Sequence, residues 1–302
     1  MTKLLSKAAV VALSAIVASP CLSARTIWDG SADTEWEGDG SPGNPYLISS
    51  AAELAGLAKR TNANETFEGK YFRLTSDLWL SDTATPDKDK PLWDPIGMSN
   101  INNDDPEQNP GGFWSEDFWF KGNFDGDGHT IHNLWYAHDS EFVDNFDDPF
   151  NDGTFDFTGW SKSLFGNIEN ATITNLKLEN ANIQSVLQGA VLVCVAKNST
   201  ITDIAVDGLI MCGTSEREGG AAGGIVAEAE GTTFERCSSA ASVRSVSGAG
   251  GLTAQLTSCT VRDCVSTGRV ASMRGAGGLA GFVLSGSEIT DSRPRGRVLR
   301  HC

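Results

Sequence analysis

Two anchors recur in step through the second half of this chain. Gly223-Gly224-Ile225, Gly250-Gly251-Leu252 and Gly277-Gly278-Leu279 lie 27 residues apart (positions 223, 250 and 277). A second anchor tracks the first: Ile173-Thr174-Asn175-Leu176, Ile201-Thr202-Asp203-Ile204, Phe234-Glu235-Arg236-Cys237, Val261-Arg262-Asp263-Cys264 and Ile289-Thr290-Asp291-Ser292. Its one long spacing, from 201 to 234, is explained by an insertion within Cys212 to Gly220. A unit of this length cannot bury an apolar face alone. Being rich in Val, Ile, Thr, Ser and Gly, and lacking helical periodicity, it reads as one coil of a solenoid. The expected fold is all-β, a right-handed parallel β-helix, rising ~4.8 Å per coil.

The second anchor carries its own stereochemistry. Ile173 and Leu176 are three apart, so they cannot both face inward on one straight strand. A bend must lie between them, and Asn175, Asp203, Asp263 and Asp291 occupy it. Asn and Asp tolerate left-handed backbone and bond to nearby backbone groups. Stacked in register they form a polar ladder, which Arg236 interrupts. The glycine pairs are expected at a second tight corner.

The stretch Lys121 to Leu134, KGNFDGDGHTIHNL, has two readings. Asn123, Asp125 and Asp127 with Gly128 start like a calcium loop, but its twelfth position is Leu134, where an acid is required. Ile131-His132-Asn133-Leu134 looks like the bend anchor one step earlier, which makes Asp125 to Gly128 the turn leading into it. The structural reading is favoured. Asp125 and Asp127 stay as calcium candidates with Asp144, Asp147 and Asp148 of a later acidic stretch.

These glycine corners resemble the GLUG-motif repeats of bacterial secreted and surface proteins. Gly277-Gly278-Leu279-Ala280-Gly281 is the best match. The front half, in Asn44 to Ser49, Glu53 to Ala58, Gly69 to Leu74 and Trp93 to Gly97, resembles segments that precede such repeats. The likeness implies a scaffold used in adhesin-like proteins and in accessory regions of secreted proteases. It brings no catalytic residue with it. His-Glu-x-x-His is absent, so the metalloprotease motif is missing.

Residues 1–24 read as a secretory signal peptide. Lys3 and Lys7 precede the apolar run Ala8 to Ala18, too short to span a membrane, and Leu22-Ser23-Ala24 follows. Cys21 invites a lipoprotein reading, which Pro20 disfavours. Residues 25–137 are expected to hold an N-terminal cap and the first coils. In the cap, Tyr46 to Ile48 is a strand. Ser50 with Glu53 forms a capping box, and Leu54, Leu57 and Ala58 line one face of the helix that follows. A helix there hides the open end of the first coil. The repeats fill 161–302.

Residues 138–160 form an acidic, aromatic insertion loop. Phe146, Phe150 and Trp160 are its candidate ligand-binding rings, suited to stacking on sugars. The same rings, with Phe142, Phe155 and Phe157, also fit a flap packed on the solenoid wall. The paired acids Asp104-Asp105 and Asp147-Asp148 are the places to look for glycosidase-like chemistry, and both sit in polar loops where acids are usually solvated. His129, His132 and His138 lack zinc spacing. Cys237 and Cys264 occupy equivalent places in adjacent coils, as stacked buried thiols or as a disulfide.

Net charge is −16, and between Arg25 and Trp160 there are 27 acidic and 8 basic side chains. Such a balance repels phosphates, so nucleic acid is not an expected partner. The expectation is an exported adhesin-like binding module whose partner is an extracellular glycan or a host or cell-surface ligand. It has no transmembrane segment, and no cofactor unless calcium. Two rivals stay open: a polysaccharide-degrading enzyme, lyase or glycosidase, on the same β-helix, and a structural spacer of a larger surface protein. The chain closes with Arg293, Pro294, Arg295, Arg297 and Arg300, which reads as a truncated or frayed last coil.

Overall fold

In the computed structural model, residues 25–85, 87, 89–98, 118–136, 161–185, 187–213 and 220–300 are described. The bend residues adopt the predicted backbone. Asn175, Asp203, Arg236, Asp263 and Asp291 all have positive φ, between 48° and 56°. Two further columns do the same. Asn170, Asn198, Gly231, Ser258 and Gly286 form one, and Asn133, Asn180 and Gly208 the other. Each column turns the chain between flat segments, so every coil comes back over the one before it.

The result is a parallel β-helix. Among the described residues its strands form one 17-stranded sheet and two 5-stranded sheets, with parallel pairing in each. Register is one coil per step: Gly223, Gly250 and Gly277 are successive partners, as are Thr233, Thr260 and Glu288. The segment 201–206 lies in the strand Thr200–Cys212.

One inward column records the core. Tyr46, Phe72, Phe124, Ile173, Ile201, Phe234, Val261 and Ile289 are partners in sequence. Its middle members, Phe72 to Val261, are buried. At the front the interior is aromatic: Phe72 contacts Phe67 at 5.0 Å and Phe120 at 6.0 Å, and Phe124 meets Phe165 at 5.5 Å. Farther along it is filled by Ala, Val, Leu and Cys.

The glycine pairs mark a second tight corner, and close approach of backbone accounts for them. None of Gly223, Gly250 and Gly277 has positive φ; a Cβ on each would lie 1.7–1.8 Å from the carbonyl oxygen three residues on. The second glycine faces the opposite wall, where a Cβ on Gly251 would meet Ser266 Oγ at 2.0 Å and Gly278 O at 2.2 Å. The corner needs closeness of backbone, not left-handed φ.

A second correction concerns Ile131 to Leu134. Ile131 pairs with Leu178, not with Ile173. The equivalent of Ile173-Thr174 in that coil is Phe124-Asp125. In the coil of 168–185 the left-handed corners at Asn170, Asn175 and Asn180 all read apolar-x-Asn-apolar, so the sequence alone fits Ile131 to Leu134 to more than one corner.

The cap is present. Helix Ala51–Thr61 starts at Ser50, whose side chain accepts from Glu53 N, while Glu53 accepts from the Ser50 amide at 3.0 Å. Leu54 and Leu57 are fully buried. The free edge of Tyr46–Ile48 is covered by another segment, through the antiparallel bridge of Glu37 with Leu47. Helix and edge cover touch at Gly56, where a Cβ would lie 1.7 Å from Asp33 O.

The last coil is folded. Glu288–Thr290, Arg293–Pro294 and Val298–Arg300 pair with the coil before. Arg293 N and Arg295 N bond back to Cys264 O and Ser266 O at 3.0 and 2.7 Å. Pro294 therefore stands where an N–H would face away from the stack, and its missing donor breaks no bond to the preceding coil.

Candidate functional site

The middle strip of the long sheet carries the most distinctive outward surface. Its inward column is Leu78, Ile131, Leu178, Val206, Ser239, Ser266 and Pro294. Side chains alternate across a strand, so the residues on either side of each of these point outward. One outward column then runs Trp79, His132, Glu179, with Asp207 at the next coil. The other runs Lys177, Ala205, Ser238, Val265, Arg293.

A trough of about 250 Å³ lies on this strip. Its floor is small: Ala205, Ser238, Ala240, Val265 and Thr267. Lys177, Glu179 and Asp207 line one end. On the next two coils beyond that end, His132 and then Trp79 stack with ring centroids 4.7 Å apart and planes 11° from parallel. His132 Nδ1 is 3.5 Å from Glu179 Oε2, tying the aromatic pair to the carboxylate end. Small side chains let a ligand approach the sheet, while the rings offer a flat apolar face and the carboxylates accept hydroxyl hydrogen bonds.

Supporting groups fix this end. The coil at Glu179 has one residue more than the next, and the register shifts between Val206 and Gly208. Asn180 takes the left-handed turn there, with φ 56°. The Asn180 amide donates to Asp207 Oδ1 at 2.5 Å. Asn180 Nδ2 donates to Asn133 Oδ1 at 2.7 Å, and Asn133 Nδ2 to Ser81 O at 2.8 Å. Asp77 accepts from the Thr130 amide at 2.9 Å and contacts His129 Nδ1 at 3.2 Å. Partial burial opposes ionisation of Asp77, yet the Thr130 amide and the His129 ring hold its carboxyl below the usual range.

The residues flagged from sequence fare differently. Asp125 Oδ1 accepts from the Asp127 amide at 2.9 Å and from Asn175 Nδ2 at 3.1 Å, and Oδ2 pairs with Arg73 at 3.2 Å. Asp127 has φ 48° in the turn. Both serve the architecture of the DGDG turn. Among the described residues no group of three or more His, Cys, Asp or Glu comes together as a metal-holding set. Asp144, Asp147, Asp148, Phe146, Phe150 and Trp160 lie outside the described residues, as do Asp104, Asp105 and His138.

Cys237 and Cys264 are buried free thiols, as are Cys194, Cys212 and Cys259. No disulfide joins Cys237 and Cys264. Burial pushes Cys194 and Cys212 up to about 12, against hydrogen bonds from Ser163 and Ser185. They are inert wall material rather than nucleophiles. Trp79, Glu179 and Asp207 were not singled out from sequence. Only the register of successive coils aligns them.

No family model matches the chain. Halomucin of Haloquadratum walsbyi is 28% identical over 185 residues, 60% of this chain but only 2% of halomucin's own length. A putative immunoglobulin A1 protease from Bacteroides ovatus is similar in structure, with TM-score 0.59 and 19% identity, over 87% of this chain and 69% of that one. An IgA1 protease matches with TM-score 0.42 and 15% identity, over 85% of this chain and 21% of that one. The Bacteroides likeness shows the parallel β-helix fold. No helix among the described residues is long and apolar enough to cross a membrane.

Proposed function

We propose that this chain is an exported, surface-located β-helix of the GLUG type, acting as an adhesin-like module that binds an extracellular glycan along the outward strip of its long sheet. The observation that carries the reading is the trough between Lys177 and Thr267, with the Trp79–His132 stack beyond its carboxylate end. A groove running along coils suits an extended polymer, since its floor repeats at a fixed rise. The partial likeness to halomucin supports a place at the cell surface. The glycine corners at Gly223, Gly250 and Gly277 support the GLUG assignment, and residues 1–24 provide the export signal.

A glycan array probed with the full chain, followed by affinity electrophoresis on the glycans retained, tests this. Trp79→Ala is expected to weaken retention on the order of tenfold, the loss of one stacking face. Ser238→Arg, which fills the floor, should abolish it. Thermal melting of each variant separates a lost site from a lost fold. If both variants melt normally and bind as the parent does, or if no glycan is retained, the trough is not the site.

A further inference from the structure

The carboxylate end of the trough carries charge that its own neighbours do not neutralise. Glu179 and Asp207 lie on adjacent coils in one outward column, about one strand spacing (~4.8 Å) apart. Among the described residues neither pairs with a lysine or arginine. Glu179 Oε2 meets the His132 ring at 3.5 Å, and Asp207 Oδ1 accepts from the Asn180 amide at 2.5 Å. The backbone bond fixes Asp207, which is half-buried, while Glu179 is exposed. Two carboxylates held this close repel each other, and a cation placed between them relieves that repulsion. The Trp79–His132 stack continues the same column and adds an apolar wall beside the charge.

The basic groups on the strip limit where a cation fits. Lys177 stands in the other outward column, two residues from Glu179 along the strand and ~6.6 Å away. Arg293 and Arg295 flank Pro294 on the coil that follows Val265 and Thr267. Between these groups and the carboxylates the floor is neutral, at Ala205, Ser238 and Ala240. A cationic group is therefore drawn to the Glu179–Asp207 end alone, and the rest of a bound polymer meets small uncharged side chains. The wider field points the same way. With a net charge of −16, the chain repels polymers that carry uronate or sulfate and concentrates cationic ones.

We propose that the glycan taken by the trough is an amino-sugar polymer with free, protonated amines, one ammonium sitting between Glu179 and Asp207. The proposal rests on the glycan-binding reading above and names the sugar class for that site. An ammonium brings three N–H donors and a positive charge to two carboxylates, which only accept. An N-acetyl group at the same place brings one donor and no charge, and leaves the carboxylates uncompensated. A uronic acid brings a third negative charge to them. Lys177, across the strand, repels a second amine and donates to hydroxyls on the opposite edge of the sugar, which sets the direction in which the sugar lies.

Calorimetric titration of the full chain with two probes tests it: a β-1,4-linked glucosamine tetramer with its amines protonated, and the same tetramer fully N-acetylated. At about 20 mM salt the free-amine tetramer should bind on the order of tenfold or more tighter, and the gap should narrow at about 0.5 M. Glu179→Gln/Asp207→Asn should bring the two probes to equal affinity, whereas Lys177→Gln should widen the gap. Asp33→Asn/Glu35→Gln makes the same change in net charge on the cap and should leave the gap as it is. Thermal melts check the fold of each variant. Equal binding of the two probes by the parent overturns the proposal, and so does a gap that survives in a normally melting Glu179→Gln/Asp207→Asn. A gap lost equally in the cap variant also overturns it, since attraction to net charge would then account for the preference. Should the double variant not fold, Lys177→Gln decides, and an unchanged or narrower gap counts against the site. A glycan retained on the array with neither amino-sugar tetramer bound overturns the amine alone; no glycan retained overturns the binding reading as well.

Discussion

At position 236 an arginine holds the left-handed turn, with φ 52°, between Asp203 and Asp263 of the adjacent coils. A bulky residue in that conformation costs about 1 kcal/mol or more relative to glycine. What occupies it answers a charge problem. Its Nε and Nη2 reach both oxygens of Asp203 at 2.7 Å, and its guanidinium also pairs with Glu235, which Arg262 meets at 2.8 Å. The Arg236 guanidinium holds the Asp203 carboxyl below the usual carboxylate range. The break in the polar ladder is thus a cation placed between acids that would otherwise repel along the column. Asn64, Asn170 and Asn198, which match glycosylation sequons, are likewise turn residues, with φ of 71°, 52° and 48°. Glycines divide by the same local test. Gly250→Ala drives a Cβ to 1.8 Å from Thr253 O, which is backbone and cannot rotate away, whereas Gly43→Ala meets nothing within 4 Å. In urea melts Gly250→Ala should lose ~2–4 kcal/mol and Gly43→Ala less than ~0.5 kcal/mol. Equal effects would mean that the corner relaxes freely and the repeated glycines are not required by contact.

At the scale of elements, the cap helix depends on its first turn. Glu53 accepts from the amides of Ser49 at 2.6 Å and Ser50 at 3.0 Å, and Ser50 Oγ accepts from Glu53 N at 3.2 Å. Lys59 and Arg60 at the far end suit the helix dipole. Ser50→Ala should destabilise the chain by about 1 kcal/mol in thermal melts, with Ser50→Asp restoring most of it. Failure of Asp to restore stability would show that the hydroxyl acts by packing and not as a cap. This element was legible because a capping box is local: four adjacent residues contain the whole motif. The polar corner at Asn175, Asp203, Asp263 and Asp291 was legible because it repeats. Ile131 to Leu134 was misassigned because two corners of one coil share a pattern, and only hydrogen bonding distinguishes them. The trough was not legible at all. Trp79 and His132 are 53 residues apart, Glu179 is 47 residues farther on, and only the pairing register of successive coils aligns them.

Across the whole molecule, protection against water falls along the stack. The first coils are sealed by the helix, the edge strand at Glu37 and an aromatic interior, while the coil at 288–300 has half-buried or exposed side chains throughout its described positions. Among the described residues its ladder bonds reach one neighbour, so in this chain local opening there exposes little further surface and breaks one set of bonds. Pro294 withholds a donor on the open side and the arginines charge it, so a stray strand gains little by adding to that edge. Amide exchange should therefore grade along the chain: at high salt, residues 288–300 are expected to exchange on the order of tenfold or more faster than 250–272. Uniform exchange across 250–300 at high salt would mean that the last coil is held as firmly as an interior one, and the gradient argument would fall.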